Sequence, residues 1–135
     1  MTPRPVPPSP GSSVRNLAII RIAILAGILV FGAVIWFMQR EPGWAPRTPE
    51  FPVEPIALAL WGAAIIGILA VRNAWGRTQD VPRRVHFSII GIAIAEAPAL
   101  FGAVVYFLTG DPRLYLTGVF LMVTTLLLFP ISGHR

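Results

Sequence analysis

The chain has no cysteine. Disulfides, thiolate metal sites and a cysteine nucleophile are therefore excluded. It has no lysine either, and all 11 of its basic residues are arginine. Charge is scarce. Only 13% of residues are charged, against roughly 25% in a soluble domain. No metal-ligand spacing, nucleophile–base set, phosphate loop or dinucleotide motif is present, so the sequence implies neither an enzyme nor a cofactor.

Apolar residues take the place of charge. The mean hydropathy is +0.70 over 135 residues, and the apolar residues fall in long runs. A chain of this length holds one domain, with room for about four membrane crossings and no soluble catalytic unit. The net charge of +5 then points to topology and to anionic lipid headgroups rather than to nucleic acid.

Four spans are expected, at about 17–38, 55–71, 86–108 and 114–129. Residues 1–13, rich in Pro and Ser, read as a flexible tail ahead of a four-helix membrane domain over 14–135. A signal peptide is the competing reading of this end. The first apolar run is longer than the ~7–15 residues of a signal core, however, and no clear cleavage pattern follows it. Residues 39–54 carry four prolines, a glycine and mixed charge and read as a loop. In that loop Trp44 and Phe51 can dip into the interface, as Trp36 can at the end of span one. Residues 72–85 form the most basic loop, and residues 109–113 a tight turn.

The arginines orient the chain. Arg4, Arg15, Arg72, Arg77, Arg83, Arg84 and Arg135 fall on one side, with Arg21 at its membrane edge. Arg40, Arg47 and Arg113, offset by four carboxylates, fall on the other. The positive-inside rule places both termini in the cytoplasm of a bacterial inner membrane.

Small residues mark the packing faces. Gly91, Ala95, Ala99 and Ala103 recur every fourth residue of span three, and Ala63 and Gly67 do the same in span two. That spacing allows close helix approach. Span three is also a partial copy of span one. Phe31-Gly32-Ala33-Val34 recurs as Phe101-Gly102-Ala103-Val104, and at the same offset Ile19, Ile20, Ile22, Ala23, Ile24 and Pro42 match Ile89, Ile90, Ile92, Ala93, Ile94 and Pro112. The fold expected is thus an all-α membrane protein of two tandem helical hairpins related as a parallel repeat.

The copies differ in their polar residues. Glu96 stands where span one has Ala26, Pro98 where it has Ile28, and Gly91 where it has Arg21. Glu96 lies about ten residues, or ~15 Å, into its span. A carboxylate near the midplane must be protonated or paired. It can glue helices together, handle a proton or ion, or bind a ligand. Pro98 frees the carbonyl of Ile94 and could add a polar group near the acid. Arg21 lies ~7.5 Å toward the cytoplasm from the Glu96 level. It either snorkels to the headgroups or reaches up to pair with the acid. The tyrosines and threonines add scattered polarity, and threonines are expected to bond back to their own turns.

The stretch Ala93 to Val105, AIAEAPALFGAVV, resembles the ion-carrying helix of the ATP synthase c subunit and related proteolipids. Glu96 matches that family's mid-helix acid, Pro98 lies close to its frequent proline, and Phe101-Gly102 match its aromatic-Gly pair. The resemblance implies proton or ion handling at Glu96. The whole pattern is similar to small four-span bacterial membrane proteins. The leading expectation is a non-enzymatic structural or assembly subunit whose partners are the bilayer and other membrane subunits or a second copy, with no nucleic acid. The alternative is a proton- or ion-linked component.

The absence of cysteine makes the topology easy to test. A single cysteine at Thr48 should react with an impermeant maleimide from outside intact cells. One at Gln79 should react only after permeabilisation. The reverse pattern overturns the orientation.

Overall fold

A computed structural model describes residues 10–130, with side chains from residue 14 onward. The chain forms α1 (Pro10–Met38), α2 (Val53–Arg77), α3 (Val81–Thr109) and α4 (Arg113–Leu128), with no strand among the described residues. The first turn of α1 falls within the stretch read as a tail, and residues 1–9 and 131–135 lie outside the described residues.

Three of the helices are long and apolar enough to cross a membrane. The fourth has 16 residues, which at 1.5 Å per residue is ~24 Å, short of the ~30 Å hydrocarbon layer. The exterior is apolar. Ile22, Leu58, Ile66, Phe120 and Leu127 are 69–76% exposed. Such a surface suits lipid rather than water and describes a membrane-embedded protein.

The basic segment 72–85 differs from the expected loop. Only Thr78–Asp80 leaves helical geometry, and α2 and α3 extend into the segment from either side. The reason is local. Residues 72–77 contain no proline and only one glycine, and Pro82 sits in the first turn of α3, where its missing N–H costs nothing. The turn between α3 and α4 is as expected. Gly110 ends α3 at φ +77°, and its N–H donates to Tyr106 O at 2.9 Å. The Asp111 carboxylate then accepts from Arg113 N at 3.0 Å, in the first turn of α4.

Helix α3 is the centre of the bundle. It packs most extensively against α4, then against α2 and α1, whereas α1 and α2 make no contact with each other among the described residues. The result is an arrangement around α3 rather than one packed hairpin beside another. The long loop of residues 39–52 keeps α1 and α2 apart by folding over the end of α3. Gln39 Nε2 donates to Tyr106 O and Arg47 N to Leu108 O, both at 2.7 Å, while the Phe51 ring lies 6.2 Å from Phe101. Arg47 thereby satisfies a carbonyl that the helix C-terminus leaves open, and Gln39 gives the Tyr106 carbonyl a second donor beside Gly110 N.

The alanine ladder of α3 is fully buried, with Ala95, Ala99 and Ala103 at 0–1% exposure. Two glycines set the α3–α4 distance. A Cβ on Gly102 would lie 2.6 Å from the carbonyl of Leu114, and one on Gly118 would lie 2.7 Å from Ala99 N. Backbone meets backbone at both points. On α2 the buried positions are Ala57, Ala64 and Ile68. Gly67 packs against Ile94, while Ala63 is exposed, so the α2 contact face is rotated from the expected one.

Replacing Gly102 or Gly118 with Ala should therefore cost about 1–3 kcal/mol, as overpacking does. Gly62→Ala, where nothing lies within 4 Å, should be neutral or slightly stabilising. Reversible unfolding in mixed micelles separates these outcomes, and equal effects at all three sites would remove the close-approach argument.

Candidate functional site

The three residues singled out from sequence occupy three different surroundings. Arg21, on α1, is buried at 6% exposure. Its Nη2 donates to Leu126 O at 2.9 Å and also to Phe129 O. These are carbonyls at the end of α4, so Arg21 acts as a C-cap supplied by another helix. A cation there also meets the negative end of the helix dipole. Arg21 neither snorkels outward nor pairs with Glu96, because α4 offers acceptors nearer its own level.

Pro98 is fully buried. Its backbone and that of Ala99 face Gly118, so it belongs to the α3–α4 seam. Two residues along a helix turn the direction by about 200°, and Glu96 accordingly points elsewhere.

Glu96 is half-buried in the cleft between α3 and α1. Glu96 and Leu100 supply one wall, and Ile24, Gly27, Ile28 and Phe31 the other. Spacings of three and four put each set on one helix face. The space is an open groove of about 340 Å³ rather than an enclosed cavity. A Cβ on Gly27 would meet nothing within 4 Å, so this residue leaves room in the groove. Among the described residues no hydrogen bond or ion pair reaches the Glu96 carboxyl; the two ion pairs present, Arg83–Asp80 and Arg113–Asp111, are surface pairs on other segments. The acid is therefore held between two helices and linked to neither, with its carboxyl available to something outside the fold.

The polar tie that sequence reasoning missed is Tyr115. Its Oη donates to Ile28 O at 2.8 Å and lies directly over Gly32, while its ring stacks on Tyr106 with centroids 5.8 Å apart. Positions of α1 and α3 that align in sequence meet the same residues of α4. Gly32 and Gly102 are repeat-equivalent, and both lie against Tyr115; Arg21 and Gly91 are repeat-equivalent, and both meet Phe129. It follows that α1 and α3 run the same way and that α4 runs opposite, touching matched positions of both. The threonine hydroxyls of Thr109, Thr117, Thr124 and Thr125 bond back to carbonyls four residues earlier.

Comparison of the chain with protein-family models, curated proteins and solved structures gave no match.

Tyr115→Phe should cost about 0.5–1.5 kcal/mol, the net worth of one hydrogen bond. Arg21→Ala should lower thermal stability by loosening the end of α4, yet leave the reactivity of Glu96 toward a carbodiimide unchanged. A change in Glu96 reactivity with intact folding would restore the Arg21–Glu96 pair.

Proposed function

We propose that this protein is a non-enzymatic, multi-pass subunit of a bacterial inner membrane, and that it joins another membrane component through the groove at Glu96. In this reading all four helices cross the bilayer, both termini are cytoplasmic, and spans one and three descend from a duplicated hairpin. The observation that carries the reading is the state of the Glu96 carboxyl, set into an open groove with no partner among the described residues. A polar group in lipid gains several kcal/mol by finding a partner. The small residue Gly27 and the flanking Phe31 suit a helix packed from outside. Glue within the bundle is the weaker account of this acid, since the bundle's own polar ties are made by Arg21 and Tyr115.

A second reading has a specific observation behind it. The segment Ala93 to Val105 resembles the ion-carrying helix of the c-subunit family, and an acid in a lipid-side groove suits proton or ion exchange. In that family the acid lies on the second helix of a hairpin, whereas Glu96 lies on α3, and Pro98 packs into the α3–α4 seam. The assembly reading is therefore preferred.

The two readings separate experimentally. Gly27→Leu places a side chain in the groove, starting from a point where a Cβ has nothing within 4 Å. It should leave the melting temperature within a few degrees while abolishing co-purification with the partner and cross-links from a cysteine placed at Leu100. A lone monomer in mildly solubilised native membranes, with no Leu100→Cys cross-link, would sink the assembly reading. Carbodiimide labelling of Glu96 that varies with pH, together with loss of proton flux in Glu96→Gln, would establish the ion-linked one.

A further inference from the structure

At the end of the bundle opposite the α3–α4 turn, aromatic and basic groups converge from different helices. Trp75, near the end of α2, lies edge-on to Phe129 with ring centroids 6.2 Å apart. The guanidinium of Arg72 sits 4.4 Å from the indole centroid, and that of Arg84, from the start of α3, sits 5.0 Å from it. Two cations from two helices thus share one indole. Arg21 adds a third positive charge, bonded to the Phe129 carbonyl.

Among the described residues, neither Arg72 nor Arg84 has an acidic partner within ion-pair distance, and the nearby Asp80 lies 3.6 Å from the exposed Arg83 instead. Arg84 is held in place by its Nε, which donates to Thr78 O at 2.6 Å, leaving its two terminal nitrogens uncommitted. Arg72 Nη1 is buried and has no acceptor. A buried N–H without an acceptor is costly, and more so where it is charged. The missing element is an anion with several acceptor oxygens. Guanidinium forks match phosphate in geometry, and a tryptophan at the end of a membrane helix marks headgroup depth.

We propose that Arg72 and Arg84, spread on Trp75, form a binding site for a phosphate-type anion, supplied most directly by the headgroup of an anionic phospholipid. The site joins the end of α2 to the start of α3, so its occupant would clamp the short Thr78–Asp80 connection. This inference is independent of the role of Glu96.

The full chain should be placed in phosphatidylcholine nanodiscs, with and without about one-fifth phosphatidylglycerol, and separately in phosphatidylcholine with millimolar inorganic phosphate. The readouts are the thermal midpoint and the lipid retained in native mass spectrometry. Phosphatidylglycerol should raise the midpoint by several degrees and be retained at least about tenfold over phosphatidylcholine. Arg72→Gln/Arg84→Gln should lose both effects, whereas Arg113→Gln at the other end should keep them. Protection by inorganic phosphate alone supports the same site with a free anion as its source; protection by phosphatidylglycerol alone assigns it to the headgroup. If the double variant does not fold, Arg72→Lys keeps the charge without the fork and should still weaken retention. Equal retention in wild type and variants, or no effect of either probe, overturns the proposal.

Discussion

The rest of the bundle depends on the contact of α3 backbone with α4 backbone at Gly102 and Gly118. With no side chain at these positions, Leu114 and Ala99 come within reach of the opposite main chain, and dispersion is gained along the whole seam. The alanine ladder of α3 has the same effect on either side. Once α4 is drawn in this far, Met122, Thr125 and Phe129 become fully buried. Tyr115 is then positioned to reach across to α1.

That closeness creates a second requirement. A 16-residue helix that ends within the bundle leaves its last carbonyls without partners, and lipid supplies none. Arg21 meets this need. It brings a buried charge with it, but one spread over a guanidinium and hydrogen-bonded to two carbonyls. Tyr115 and Arg21 are thus two ties between α1 and α4, one at each end. Gly102 and Gly91 of α3, which align in sequence with Gly32 and Arg21 of α1, lie against the same two residues of α4, Tyr115 and Phe129.

Glu96 stands apart from this system. The α3 face that carries it meets α1 across an open groove, without the close packing found toward α4. Arg21, Tyr115 and Thr125 bond to main chain inside the bundle, whereas this acid lies in an open groove. A difference in packing density between two faces of one helix therefore separates residues that hold the fold from the residue offered to something else. The arginine pair on Trp75 repeats the pattern at the end of the bundle, with charges assembled by the fold and no ion-pair partner among the described residues.

The helices, their apolar character, the buried ladder of α3 and the Gly110 turn were all legible in the sequence, because each is set by local composition and spacing. The same is true of the threonine back-bonds. The extent of α2 and α3 through the basic segment was harder to read, since charge suggested a loop where nothing actually interrupts helix formation. Neighbour relations were decided by the tertiary structure alone. Spacing shows which residues share a face, but which helix that face meets depends on how closely backbones can approach across the whole bundle. For that reason Arg21 bonds α4 rather than Glu96, Pro98 turns away from the acid, α1 and α2 remain apart, and Glu96 faces an open groove. The chain by itself determined that an acid lies within an apolar helix, and only the packing around α3 decided that its carboxyl has no partner there.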